Sequence, residues 1–169
     1  MKKLIAMMLL AVLAISTTDN ISAQNKTNTA KGLTFCGVPF GINVEDFKAR
    51  ACNEALKDSL ANIVGAKECI IYVPNVNLPK KPNIACGVEV SFGDDYGAWA
   101  IYGFDMIRCI LASKYGNFQE SKDANGRQKL IWQLPYGEIS LKRGKESVVI
   151  SYYDYTALKK AFPSLIKML

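Results

Sequence analysis

The chain of 169 residues has five cysteines, no histidine and a formal net charge of +6. The absence of histidine excludes Ser-His-Asp and Cys-His nucleophilic pairs and histidine-bearing zinc sites. The basic excess is modest and scattered along the chain, so the composition does not predict nucleic-acid binding.

The first 23 residues have the features of a secretory signal peptide. Two lysines precede an apolar run from Leu4 to Ile15, and Ala23 is the small residue that signal peptidase needs at the cleavage point. This run is shorter than the roughly 20 apolar residues of a membrane span. We therefore expect cleavage near Ala23, a periplasmic or secreted protein of bacterial type, and no integral membrane span in the mature chain.

The rest of the chain is predicted to form one domain. Residues 24–31 are a polar tail with nothing to bury, so the domain is expected over 32–169. It divides into a first unit at about 33–104, a second unit at 105–154, and a C-terminal helix and tail at 155–169.

The first unit is predicted to begin with a helix. Asn43 is a suitable N-cap, and Glu45 and Asp46 follow in the first turn, where the helix dipole favours acidic groups. The helix should therefore begin at Val44 and end by Gly65. Three strands are predicted after it, from their β-branched and aromatic residues and the turn residues between them: Glu68–Val73, Ile84–Phe92 and Ala98–Phe104.

The second unit repeats this order. Asp105 is placed to cap a helix that Gly116 ends, and a polar loop follows. Three strands come next, separated by Pro-Tyr-Gly and Arg-Gly-Lys turns: Lys129–Leu134, Glu138–Lys142 and Ser147–Tyr153. Asp154 is then placed to cap a short helix that Pro163 breaks. The sequence thus predicts an α+β protein of two α-β-β-β units, with an antiparallel meander sheet, helices packed on one face and a short C-terminal helix.

An odd number of cysteines leaves at least one thiol unpaired in a monomer, and none of the five forms a C-x-x-C pair. Burial as small apolar side chains is one interpretation, and export also permits a disulfide. Cys69 and Cys86 lie on candidate hairpin partners, so this pair is the predicted disulfide. The sequence has no motif for a cofactor or a metal site, so neither is predicted.

Aromatic residues are concentrated on or beside the predicted strands. Tyr152 and Tyr153 are neighbours on one strand and must point to opposite faces, so one of them points away from the core. Exposed tyrosines anchor protein interfaces and also serve as platforms for sugar rings. We hypothesise a binding patch on the open face of the sheet, formed by tyrosines and neighbouring basic residues: Tyr102, Tyr136, Tyr153, Lys142 and Arg143. Core filling and ordinary sheet surface are the alternative explanation of these tyrosines.

Four short motifs are spread over the chain: Phe35-Cys36-Gly37-Val38-Pro39-Phe40-Gly41, Leu111-Ala112-Ser113-Lys114-Tyr115-Gly116, Tyr136-Gly137-Glu138-Ile139 and Ser151-Tyr152-Tyr153-Asp154. Together they resemble motifs of small exported proteins of Bacteroidetes-type gut bacteria. The helix-plus-three-strand order also resembles, at the level of the fold, the β-lactamase inhibitor protein and the small lipoprotein of the outer-membrane barrel-assembly machinery. Both of these are binding proteins. The chain departs from the lipoprotein because it has no cysteine at the cleavage point.

These observations predict an exported, non-enzymatic protein that binds a protein or peptide partner in the cell envelope through the open face of its sheet. A carbohydrate-binding module is the first alternative, because tyrosines also stack on sugars. A hydrolase with two catalytic carboxylates is the second, and Glu45-Asp46 and Asp94-Asp95 are its candidate pairs. Helix capping and turn formation explain these pairs more simply.

Overall fold

The computed structural model describes residues 32–74, 83–94 and 98–163. The predicted signal peptide and polar tail lie outside these residues, as does the end of the C-terminal tail. Within the described ranges, none of the helices has the length and the apolar content to cross a bilayer.

The described residues form helices and strands that alternate in groups along the chain. The helices are α1 (Val44–Ala51), α2 (Glu54–Val64), α3 (Ala98–Tyr115) and α4 (Tyr155–Ala161). The strands are β1 (Thr34–Phe35), β2 (Val38–Pro39), β3 (Glu68–Tyr72), β4 (Gly87–Gly93), β5 (Gln119–Lys122), β6 (Gln128–Leu134), β7 (Gly137–Arg143) and β8 (Ser147–Asp154).

Six of the described strands form one antiparallel sheet in the order β3-β4-β8-β7-β6-β5, and β1 and β2 form a separate hairpin. β8 lies inside the sheet and pairs with β4 on one side and β7 on the other. It therefore joins strands from the two halves of the chain. The prediction of an α+β fold with an antiparallel sheet and a short C-terminal helix is confirmed.

Helices cover one face of the sheet. α2 packs on β3, and α3 packs on β7 and β8. On β8 the alternate residues Val148, Ile150 and Tyr152 point to this side and are buried. They form the core with same-side residues of the neighbouring strands and with one residue of α1: Val88, Val90, Phe92, Leu130, Trp132, Ile139, Leu141 and Phe47. The strand residues that alternate with these point to the opposite side, which we call the open face.

The predicted strand at Ala98–Phe104 is wrong, because these residues form the first two turns of α3. The first unit therefore contributes two strands to the sheet, and its predicted boundary with the second unit falls inside a helix. Asp105 does not cap a helix but lies within α3, where its Oδ1 is 3.2 Å from Nη2 of Arg108.

The burial pattern of α3 gives the physical reason. Its buried residues Ala100, Phe104, Ile107 and Leu111 follow one another at intervals of four, three and four positions, which is the repeat of a helix face. Ile101, which the strand pattern places in the core, is 56% exposed instead.

Two smaller differences concern element boundaries. Asn43 caps a helix that begins at Val44, as predicted, but Asn53 caps a second helix, and Gly65 ends that one. In place of the predicted polar loop after α3, four exposed residues form β5. Because all four side chains are exposed, the sequence of β5 lacks the alternation that indicates a strand.

The predicted disulfide between Cys69 and Cys86 is wrong. The register of β3 and β4 places Cys69 opposite Phe92, which lies six residues along the chain from Cys86. This corresponds to about 20 Å along a strand, whereas a disulfide needs Cα atoms within about 7 Å of each other. All five cysteines are free thiols. Cys69 is a buried core residue, and burial raises the pKa of its thiol to about 12.

Asp154 connects three parts of the chain at the end of β8. Its Oδ1 accepts a hydrogen bond of 2.7 Å from the backbone N–H of Ala157 and so caps α4, as predicted. Its Oδ2 accepts a hydrogen bond of 2.6 Å from the backbone N–H of Leu33, just before β1. The carboxylate is buried, so both donors depend on it for a partner.

Asp154→Ala is expected to lower the free energy of unfolding by about 2–4 kcal/mol, because it removes a helix cap and leaves a second backbone N–H without its acceptor. Urea denaturation measures this change. Asn53→Ala is the matched control, because Asn53 caps α2 at an exposed position and its loss should cost about 1 kcal/mol. Equal losses in the two variants would contradict the bridging role of Asp154.

Candidate functional site

Three residues of the predicted patch lie on or near the open face. Lys142 of β7 and Tyr153 of β8 both point to it. Tyr136 lies in the turn between β6 and β7 and is partly exposed. The patch is thus reduced to two side chains on the sheet and one in a turn at its end.

Tyr102 and Arg143 lie on the helical side of the sheet. Tyr102 is an exposed residue of α3, which covers the core face. Arg143 follows Lys142 on β7 and therefore points to the opposite side, where its guanidinium carbon is 5.9 Å from the ring centre of Phe104. These two residues do not share a surface with Tyr153.

Tyr153 extends across the open face toward β4. Its partner in the register is Gly87, and a Cβ at that position would lie 2.8 Å from Cδ1 of the tyrosine ring. The absence of a side chain at Gly87 therefore makes room for the ring. Beyond it, the Tyr153 hydroxyl donates a hydrogen bond of 3.0 Å to Oε1 of Glu89, and Ser151 Oγ donates one of 3.2 Å to the same oxygen.

A second carboxylate lies on the other side of Tyr153. Glu138 is its register partner on β7, and Oε1 of Glu138 is 3.4 Å from Nζ of Lys129. Oε2 of Glu138 accepts a hydrogen bond of 3.3 Å from the Tyr155 hydroxyl, which in turn accepts one of 3.1 Å from Nε2 of Gln133. Tyr155 is the first residue of α4, so this short helix positions a phenol over the sheet.

Both carboxylates act on the Tyr153 phenol. Burial, the charge and hydrogen bond of Glu89, and the charge of Glu138 raise the pKa of Tyr153 to about 12. The phenol is therefore protonated at neutral pH and donates a hydrogen bond. The array thus presents hydrogen-bond donors and acceptors at the surface of the sheet.

The carboxylate pairs predicted from the sequence have structural roles. Glu45 and Asp46 lie in the first turn of α1. Oδ2 of Asp94 accepts a hydrogen bond of 3.1 Å from the backbone N–H of Trp99 in α3, and Asp95 lies outside the described residues.

Glu89 and Glu138 were missed as candidate site residues. Glu89 lies between two buried valines in a strand with clear alternation, so the pattern was sufficient to place it on the open face. The sequence pattern did not indicate that β4 and β7 both lie beside β8, because the order of strands in a sheet is set by pairing between distant parts of the chain.

β3 is an edge strand that presents apolar side chains on the open face. Among the described residues it pairs with β4 alone. Ile70 is 54% exposed and Tyr72 is 58% exposed. The opposite edge, β5, has the sequence Gln-Glu-Ser-Lys, and such polar residues protect edge strands from pairing with other chains. On its exposed face β3 has one charged residue, Glu68 at its first position, and the apolar side chains of Ile70 and Tyr72 follow it.

A groove of about 630 Å³ lies between β3 and α1. Ile71 and Tyr72 line it on the strand side. Glu45 and Lys48 line it on the helix side, where Nζ of Lys48 is 3.2 Å from Oε1 of Glu45. The groove thus has an apolar wall on the strand side and a polar wall on the helix side, and it lies beside the free edge of β3.

The described part of the chain contains no group of three or more histidine, cysteine, aspartate or glutamate side chains arranged to hold a metal ion.

Comparison with models of known protein families gave no match. Curated proteins and solved structures gave no significant match either. The resemblances indicated by the sequence motifs therefore stay predictions.

The raised pKa of Tyr153 makes a contribution to stability that depends on pH. Its phenol ionises near pH 10 in the unfolded chain but near pH 12 in the folded one, so ionisation favours unfolding as the pH rises through this window. In Tyr153→Phe, the free energy of unfolding should fall less between pH 10 and pH 11.5 than in the unmodified chain. Urea denaturation at several pH values measures the difference. Identical pH profiles would contradict the network around Glu89.

Proposed function

We propose that the protein is an exported, non-enzymatic binding protein that engages a protein or peptide partner at the β3 end of the open face. The observation that carries this proposal is the pair of exposed apolar side chains, Ile70 and Tyr72, on an edge strand that borders a groove.

An extended peptide segment suits this surface for two reasons. The outer backbone groups of an edge strand form hydrogen bonds with an added strand, and these supply affinity with little dependence on sequence. Alternate side chains of the added strand then contact Ile70 and Tyr72 on one side and the groove between β3 and α1 on the other. Specificity comes from these alternate contacts.

The polar array on the open face supports the same partner class. Glu89 lies opposite Tyr72 in the register, so its carboxylate is next to the exposed apolar pair. Main-chain and side-chain donors of a peptide find an acceptor there. Glu89 and Tyr153 are held by mutual hydrogen bonds, so the array is organised before the partner arrives.

The experiment is a selection of peptides from a random 12-residue phage library on the complete mature chain, followed by affinity measurement of the selected peptides by fluorescence anisotropy. Selected peptides should have apolar residues at alternate positions. The double variant Ile70→Lys/Tyr72→Lys should weaken their binding at least about tenfold, because each added charge would be buried under the peptide.

Ile101→Lys/Tyr102→Lys is the matched control. Ile101 and Tyr102 are an isoleucine and a tyrosine with exposures of 56% and 77%, close to or above those of the β3 pair, but they lie on α3. This variant should bind the selected peptides as the unmodified chain does. Two outcomes would contradict the proposal. In the first, the α3 variant loses peptide binding and the β3 variant does not. In the second, no peptide is selected, but a glycan array gives hits that Tyr72→Ala abolishes.

A further inference from the structure

The edge strand β3 presents a carboxylate in line with its exposed apolar pair. Glu68 is the first residue of β3 and is exposed, and alternation places it on the same face as Ile70 and Tyr72. The three side chains follow one another at every second position, at intervals of roughly 7 Å along the strand. A strand added to this edge therefore meets a carboxylate, an aliphatic side chain and an aromatic ring in a fixed order.

The Glu68 side chain extends over β4, where the sheet has room for it. Its register partner is Gly93, and a Cβ at that glycine would lie 3.4 Å from Oε1 of Glu68. The carboxylate is thus set back from the outer edge of the sheet. Because an added strand lies about 5 Å outside β3, a side chain that reaches this carboxylate has to be long, and lysine and arginine have this length.

The part of the open face next to the edge is acidic. The open-face positions of β3, β4 and β8 include two carboxylates, Glu68 and Glu89, and none of these positions holds a lysine or an arginine. Lys142 and Lys129 also point to the open face, but they lie on β7 and β6, at least two strands beyond β4. The charge beside the free edge therefore complements a basic partner.

The groove on the other side of β3 does not favour either charge. Ile71 lies between Ile70 and Tyr72 in the strand and lines this groove. The charged residues that line it are one acid and one base, Glu45 and Lys48, and they are paired with each other. Selection by charge therefore depends on the open face.

The order of the three β3 side chains sets the order of residues in the partner. All neighbouring strands in this sheet are antiparallel, and antiparallel pairing is slightly more stable per residue than parallel pairing. In an antiparallel added strand, the residue opposite Tyr72 comes first, the one opposite Ile70 two positions later, and the one opposite Glu68 two positions after that. A parallel strand would have the reverse order.

A second copy of β3 fits this edge less well than a basic segment does. In an antiparallel pair of two β3 strands centred on Ile70, Tyr72 of each copy would lie opposite Glu68 of the other copy. Neither carboxylate would then face a cation.

We propose that the partner is an extended segment that pairs antiparallel to β3 and carries a lysine or arginine two residues after a pair of alternating apolar residues. The apolar residues contact Tyr72 and Ile70, and the basic side chain binds the carboxylate of Glu68. This inference rests on the proposed function, because it names the class of peptide that the edge of β3 takes.

The test is a selection from the random 12-residue phage library on the complete mature chain and on two variants of it, Glu68→Lys and Glu120→Lys. Peptides selected on the unmodified chain should be enriched in lysine and arginine at the second position after the apolar pair. On Glu68→Lys the enrichment at that position should change to aspartate and glutamate. Glu120 is an exposed glutamate of the other edge strand, β5, so Glu120→Lys is the matched control and should select the same peptides as the unmodified chain. Circular dichroism establishes that both variants are folded.

Fluorescence anisotropy measures the size of the effect, with a selected peptide and its counterpart in which glutamine replaces the basic residue. Pairs of opposite charges on neighbouring exposed strands contribute little free energy, so the glutamine peptide should bind the unmodified chain about three- to fivefold more weakly. The two peptides should bind Glu68→Gln equally well.

Three outcomes would overturn the inference. Selected peptides that alternate apolar residues but show no charge preference, or keep their basic preference on Glu68→Lys, would overturn it and leave the proposed function in place. A basic residue enriched two positions before the apolar pair would overturn the antiparallel order. Selection of no peptide at all would overturn both this inference and the proposed function.

Discussion

The strict alternation of side chains along β8 is the constraint on which the rest of the structure depends. β8 lies between β4 and β7, so each of its residues is fixed on a face by two neighbours. Val148, Ile150 and Tyr152 point to the helices, and Ser151 and Tyr153 point away from them. If the pairing of β8 shifted by one residue, Val148, Ile150 and Tyr152 would point to the open face, and Ser151 and Tyr153 would point to the helices. The same strand therefore sets both the hydrophobic core and the chemistry of the open face.

The adjacent tyrosines of β8 show how this constraint separates two surfaces. Tyr152 is buried and, like Cys36 and Tyr115, lines an apolar cavity on the helical side of the sheet. Tyr153 lies over Gly87 on the other face and donates to Glu89. Of this pair of neighbouring residues, one thus places its phenol in the core and the other places its phenol in the polar array on the opposite side of the sheet.

Local signals in the sequence were sufficient to predict much of the fold. The caps Asn43 and Asp154, the start of α1 and the presence of the alternating strands β4 and β8 are confirmed. β4 begins at Gly87, three residues after the predicted start at Ile84. The segment Ala98–Phe104, which contains Trp99, was predicted as a strand because aromatic and β-branched residues favour strands. Tertiary contacts decide otherwise: Nε1 of Trp99 donates a hydrogen bond of 3.0 Å to the backbone carbonyl of Val64 in α2.

The candidate site was harder to predict, because it depends on which strands are neighbours. The alternation rule predicted that one of Tyr152 and Tyr153 points to the open face, and the hypothesised patch included Tyr153, which does point there. Tyr102 was misplaced because its element was misassigned, and the importance of Ile70 and Tyr72 was missed because a strand is known to be an edge strand only when the sheet order is known. In this sheet the order brings β8 beside β4, across more than fifty residues of chain.

The central claim is that the edge of β3 is the surface that receives a partner. Amide hydrogen exchange of the complete chain, alone and saturated with a selected peptide, tests it most directly, because an added strand forms hydrogen bonds with the backbone of its neighbour. The account predicts that the amides of Glu68–Tyr72 gain protection on binding, whereas those of Ala98–Phe104 do not change. Protection gained on α3, with β3 unchanged, would contradict it.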